Sequence, residues 1–194
     1  MSYTPEDAAW DEAYDRMSAE LYPEHKAQAI VEFSYERLRS FYAQNLDIVV
    51  PAVRNFKIAK SLYEAGQHAA ALTFAASATE LFLKGALLRP VVYGLVHSEA
   101  LAELVVDAAL GQTGFKRYSA LLAGLFKELS HFDVKTLMRE GSKVPLITEA
   151  SNLQDVRNGV VHRGDEVSLE QAEWAIAVSS AVFGQILANV LGEL

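Results

Sequence analysis

Residues 67–89 read Gln-His-Ala-Ala-Ala-Leu-Thr-Phe-Ala-Ala-Ser-Ala-Thr-Glu-Leu-Phe-Leu-Lys-Gly-Ala-Leu-Leu-Arg, and their pattern decides the fold. Ala69, Ala70, Ala71, Ala75, Ala76 and Ala78 interleave with Leu72, Phe74, Leu81, Phe82, Leu83 and Leu87. Such a helix is apolar on nearly every side and belongs at the centre of a bundle rather than on its surface. Its small side chains let neighbouring helices approach closely. Glu80 and Lys84 are the charges inside it, and Pro90 is expected to end it.

Outward from this stretch the helical period continues. The 194 residues include only five prolines and eleven glycines, and apolar residues recur at spacings of three and four. The chain therefore reads as all-α. Residues 5–20 form an acidic amphipathic helix with Trp10, Tyr14 and Met17 on one side. Pro23 restarts the chain into a long helix over 24–48, which Pro51 interrupts. A further helix follows over 52–64, with Gly66 as its stop. Helices are expected over 98–110, after a Ser98 cap, and over 115–130, with a turn at 111–114 between them. Asp133 caps a short helix to Glu140. Residues 141–145 form a linker, and a helix over 148–163 stops at Gly164. Ser168-Leu169-Glu170-Gln171 is a capping box that opens a final helix to about residue 192. The result is a single domain over 1–194: an up-and-down helical bundle with extra N-terminal helices. It has an acidic extension over 1–22 and a small peripheral helical insert over 91–140.

Composition removes several function classes. Apolar residues make up 51% of the chain, enough for one substantial core. The mean hydropathy is +0.10, yet no stretch of about 18 residues is free of charge, so no spanning helix is expected. The N-terminus has neither a basic nor an apolar segment of the kind a signal peptide needs. Zero cysteines exclude disulfides, thiolate metal sites and a cysteine nucleophile, and they fit a reducing cytoplasm. His25, His68, His97 and His131 are scattered without zinc spacing, and no cofactor motif is present. The net charge of −8 argues against a general nucleic-acid coat. Residues 1–24, however, hold seven acids and one base, which leaves the other 170 residues close to balance. A local anion site is therefore allowed there, and the acidic extension is a candidate to shield it.

The segment that carries chemistry is 148–164, Thr-Glu-Ala-Ser-Asn-Leu-Gln-Asp-Val-Arg-Asn-Gly-Val-Val-His-Arg-Gly. At about 100° per residue, Leu153, Val156 and Val160 define a core-facing stripe, with Arg157 flanking it. Asn158 and His162, four residues apart, share a face that points away from the core. Gly159 costs the helix about 1 kcal/mol relative to alanine. Lys116, Arg117 and Lys127, with Phe115, Tyr118 and Phe126, form either an RNA-facing patch or an amphipathic helix with a solvated basic edge. Lys135, Arg139 and Lys143 form a basic run before the motif, either a guide for a phosphate backbone or simply a flexible linker.

Arg157-Asn158-x-x-x-His162 resembles the Arg-x(4–6)-His signature of the HEPN superfamily, in which a polar residue often follows the arginine. Ala75 to Leu87, with Glu80-x-x-x-Lys84, is similar to the Ala-rich helix of that family. The resemblance covers about a third of the chain, roughly 62–90 and 148–190. It implies an all-α bundle that dimerises so that two Arg/His motifs form one composite site. Many members are metal-independent endoribonucleases in toxin, phage-defence or stress systems. It also implies roles for Arg157, Asn158 and His162 as catalytic residues. Arg157 holds the scissile phosphate and stabilises transition-state charge. His162 moves protons, as an imidazole suits neutral pH, and Asn158 positions. Glu80 has two readings, as an orienting group for this site or as an ordinary i,i+4 partner of Lys84. No cofactor or metal is implied, because the 2′-hydroxyl of RNA supplies the nucleophile. The expected partners are a second copy, RNA, and a regulatory or antitoxin protein. Some members carry a modifiable tyrosine two residues after the histidine, where this chain has Gly164. The alternatives are a catalytically inactive module of the same kind, binding a nucleotide or a protein, and a helical adaptor that docks through its acidic arm.

Overall fold

The computed structural model describes residues 9–17, 25, 36–37, 39–45, 47–95, 98, 100–102, 104–105, 118–119, 122–123 and 133–187. The described elements are all helical: α1 (Val50–Glu64), α2 (His68–Leu81), a π-helical segment π1 (Phe82–Leu88), α3 (Arg89–Leu95), α4 (Leu146–Arg163), α5 (Leu169–Ala181) and a second π segment, π2 (Val182–Leu187). Among the described residues there is no strand, and the described fold is all-α. Nor, among them, is any helix long and apolar enough to cross a membrane.

The alanine-rich stretch lies where its composition requires. α2 packs against α1, α4 and α5. Ala71, Leu72, Ala75, Ala76 and Ala78 of α2 are buried, together with Ala52 and Ala59 of α1 and Ala172 and Ala175 of α5. Small residues on facing helices allow short interaxial distances. The hydroxyls of α2 are satisfied within the helix. Thr73 donates to the Ala69 carbonyl, Ser77 to Thr73 and Thr79 to Ala75, each at 2.9 Å, so a polar atom sits in the core without an unmet hydrogen bond. His68 and Glu170 lie near enough to interact, and the Phe82 and Phe183 rings are 4.7 Å apart, so α2 and α5 run in the same direction.

α1 begins at Val50 with Pro51 in its first turn, where a missing N–H costs little. It ends before Gly66, whose φ of 73° is the left-handed geometry glycine adopts freely. The expected stop at Pro90 is not observed. Instead α2 passes through π1 into α3, and the Arg89 N–H donates to the Lys84 carbonyl five residues back. The wider coil brings Pro90 into the first turn of α3, where proline is tolerated.

Two further corrections concern the second half. The helix expected over 133–140 is a single turn. There the Lys135 N–H donates to the Asp133 side chain at 2.9 Å and the Thr136 N–H to the Asp133 carbonyl at 3.0 Å. The described part of 91–140 is also not peripheral, because Val92, Tyr118, Leu122, Ala123 and Val134 belong to the same buried cluster as Leu72 and Leu153. Residues 9–17 are helical, as expected of the acidic extension. The long helix expected over 24–48, the 98–110 helix and the 115–130 helix fall largely outside the described residues. The capping box forms as read: Ser168 Oγ accepts from the Gln171 N–H at 3.2 Å, and the Ser168 N–H donates to Gln171 Oε1 at 2.9 Å. α5 then runs into π2, and the rest of the final helix, beyond Leu187, lies outside the described residues.

Candidate functional site: the outward face of α4

α4 starts two residues before the expected boundary, behind Pro145, and buries Leu146, Ile147, Ala150 and Leu153. Val156 and Val160 pack partly buried against the same core, so the stripe read from periodicity faces inward. Gln154 is buried as well, and its Nε2 donates to the Ala76 carbonyl at 2.8 Å, which ties α4 to α2. A buried amide left without that acceptor would cost about 1–3 kcal/mol.

The helix ends at Gly164, with φ 72°. The Gly164 N–H donates to Val160 at 3.1 Å, the five-to-one bond of a left-handed glycine stop, and the Asp165 N–H reaches back to the Gly159 carbonyl at 3.4 Å. That return brings the Asp165 carboxylate to Arg163 Nη2, at 2.6 Å. Gly159 is buried beneath this pair, and a methyl group there would run into the Asp165 carboxylate and the Arg163 guanidinium. Glycine in mid-helix is thus explained by the ion pair folded over it.

Against this background, Arg157, Asn158 and His162 stand apart. Asn158 and His162 are exposed and Arg157 is half-buried along its stem. Arg157 Nη1 donates to Asn158 Oδ1 at 3.1 Å. Among the described residues, Arg157 takes part in no ion pair and His162 in no hydrogen bond or ion pair. One bond leaves four guanidinium N–H donors available. Five helical residues place Arg157 and His162 about 140° apart around the axis and about 7.5 Å along it. Within one protomer Asn158 is linked to Arg157 and lies one turn from His162, while Arg157 and His162 diverge.

Glu80 lies in another setting. It pairs with Lys84 at 2.8 Å, and Lys84 Nζ is 5.2 Å from the centre of the Tyr118 ring. Burial, and secondarily the Glu80 charge, push the Tyr118 phenol well above its ordinary range. No hydrogen bond or ion pair joins Glu80 to Arg157 or His162 among the described residues. Tyr118 is only 2% exposed, so it is not part of an RNA-facing patch. Lys116, Arg117, Lys127, Phe115 and Phe126 lie outside the described residues.

A third polar group went unread in the sequence. Glu149, 5% exposed in the first turn of α4, accepts from Arg139 Nη2 at 3.0 Å and from Trp174 Nε1 at 3.3 Å. Arg139 Nε also lies 3.0 Å from the other carboxylate oxygen. Arg139 is therefore not a free cation of a basic linker. The signal available in the sequence was an acid in the first turn of a helix, set among Leu146, Ile147, Ala150 and Leu153. Its partners, 10 and 25 residues away, leave no local trace. Among the described residues no group of three or more metal-type ligands gathers. A cavity of about 500 Å³ lies elsewhere, lined by Phe41, Asp47, Arg89 and Tyr93 among others, and the motif residues take no part in it.

No known family model matches the chain, and neither curated proteins nor solved structures yield a match.

Proposed function

We propose that the chain is a HEPN-like endoribonuclease that works as a homodimer without a metal. The observation that carries this reading is the outward face of α4. A guanidinium with no ion-pair partner among the described residues and an exposed imidazole stand on one helix, while the neighbouring Arg163 is already tied to Asp165. Because Arg157 and His162 diverge around the helix, one protomer supplies them to different directions. Two copies related by a two-fold axis bring an Arg157 and a His162 to each side of a shared groove.

The chemistry follows from the residue types. The 2′-hydroxyl of RNA attacks the adjacent phosphorus as its proton passes to His162. The P–O5′ bond then breaks, and the leaving 5′-oxygen takes up a proton from the imidazolium of His162, which returns to its neutral form. The products are a 2′,3′-cyclic phosphate and a 5′-hydroxyl. Arg157 carries the extra negative charge of the pentacoordinate state through a forked contact. Asn158 fixes the guanidinium by its 3.1 Å bond. Glu80 is paired with Lys84 one turn along its helix, which favours its reading as an ordinary i,i+4 partner. The biological setting that fits such an enzyme is defence, toxin activity or stress response in a cytoplasm, with a regulatory protein to restrain it.

The test is incubation of purified protein with mixed RNAs in EDTA, followed by end-group analysis. Cyclic phosphate ends are expected, and substrates carrying 2′-deoxy sugars at the cut positions should resist. Cleavage of the deoxy substrates, or cleavage that stops in EDTA, would overturn the mechanism.

A further inference from the structure

Two apolar stripes of matching length and opposite charge stand uncovered on this chain. The first is on the acidic N-terminal helix. Trp10, Tyr14 and Met17 are 78%, 67% and 51% exposed. They recur at i, i+4 and i+7, a stripe about 10.5 Å long. Asp11 and Asp15 lie along one side of it, while Glu12 and the single base Arg16 fall on the opposite face. The second is on α1. Val49, Val50, Val53 and Ile58 line an open groove of about 420 Å³, together with Arg54 and Lys57, whose stems share the same face. Val50 and Ile58 are 44% and 36% exposed, and residues 50 to 58 span about 12 Å of helix. Arg54, Lys57 and the nearby Lys60 are exposed, and among the described residues none of the three is in an ion pair.

Each stripe is what the other lacks. A large aromatic stripe leaves water favourably only against an apolar counterpart, and an acidic rim meets a basic rim at gain in both specificity and association rate. Among the described residues neither stripe is covered, which leaves each open to its complement on another copy. We infer that the Trp10–Tyr14–Met17 face of one copy docks in the α1 groove of a second copy, with the acidic flank of the arm against Arg54 and Lys57. Because the arm and the groove are both present on every copy, two such contacts form in one two-fold dimer. This exchange stands on the stripes alone and does not depend on RNA cleavage by the α4 face.

The absence of cysteine allows a direct test. Met17→Cys protein is mixed with Ile58→Cys protein and treated with a short bismaleimide. A covalent heterodimer is expected, with a yield that falls as salt rises. Reversing the groove charges in the Ile58→Cys partner, with Arg54→Glu and Lys57→Glu, should lower the yield at least about fivefold. Adding Asp11→Lys and Asp15→Lys to the Met17→Cys partner should restore it. A Met17→Cys/Ile58→Cys double variant that links only within one chain, independently of concentration, would overturn the proposal in favour of docking in cis. A dimer seen by light scattering without any arm-to-groove link would also overturn it, leaving the α4 reading intact. A link without RNA cleavage would sink the nuclease reading and leave this one standing.

Discussion

The two ends of α4 carry similar side chains and use them in opposite ways. At the Leu146 end, Glu149 is buried and its carboxylate is held by Arg139 and Trp174. At the Arg163 end, His162 stands outward and Arg157, half-buried beside the core stripe, has Asn158 as its one hydrogen-bond partner among the described residues. Buried charge is tolerable only when paired, so Glu149 must be satisfied inside the protomer. Charge at the surface is under no such demand and remains available for a ligand. One helix thus joins an end that holds the fold to the end proposed for the chemistry, and the two should respond to mutation in separable ways.

The largest separation is expected in activity. Arg157→Ala should lower RNA cleavage by about 10²–10³-fold, the cost of losing a preorganised donor to transition-state charge. Arg157→Lys should recover only part of it, since the ammonium keeps the charge and loses the fork. Single-turnover rates on a defined RNA measure both. If Arg157→Lys cleaves as fast as wild type, the forked contact is not used.

At the other end, Arg139→Met should destabilise the fold by about 3 kcal/mol, because it strands a buried carboxylate. The low end of the range applies, as the Arg139 side chain is 23% exposed. The double variant Arg139→Met/Glu149→Leu should regain much of that loss, since no charge is then left unpaired. Urea unfolding gives both values. A double variant no more stable than the single one would show that packing, rather than the stranded charge, sets the cost.

A smaller effect is expected at the start of α5. Ser168→Ala removes the capping hydroxyl and should cost about 1 kcal/mol at neutral pH. Glu170 adds a pH signature. Its carboxyl is held below its ordinary value chiefly by the Ser168 hydroxyl and then by a backbone hydrogen bond. A depressed pKa in the folded state gives stability that is present above the ordinary carboxylate value and lost as pH falls through the folded value. The gap between wild type and Ser168→Ala should therefore narrow in acid. Thermal midpoints from pH 7 down to the carboxylate range check this, and a gap that widens would reverse the sign.

The smallest net change is expected at Gly159→Ala. Alanine gains about 1 kcal/mol of helix propensity and displaces a surface ion pair worth about 0–1 kcal/mol. Stability should hardly move while Arg163 is released from Asp165. A loss of several kcal/mol would mean that the return of Asp165 over Gly159 is structural rather than incidental.

What the sequence disclosed follows the range of the interactions involved. The Ser168–Gln171 box and the Gly164 stop depend on residues within a few positions of each other, so both were readable. The outward direction of His162 followed from the spacing of Leu153, Val156 and Val160. The link among Arg139, Glu149 and Trp174 joins three elements, and no local pattern announces it. The passage through Pro90 was hidden for another reason: the π segment before it departs from the 3.6-residue period on which a boundary at proline is argued. Of the two readings of the Tyr118 segment, the burial of Tyr118 fits the amphipathic helix, and the Lys84 ammonium of π1 that lies over its ring is a contact no local pattern announces.

The measurement that bears most directly on the account pairs RNA cleavage in EDTA with the thermal midpoint, for wild type and His162→Ala. Because His162 is exposed, its removal should leave the midpoint within about 0.5 kcal/mol of wild-type stability. Loss of the proton-transferring imidazole should lower cleavage by about 10²–10⁴-fold. Equal cleavage by both proteins, or no cleavage by wild type, would contradict the assignment of the outward face of α4 as a ribonuclease site.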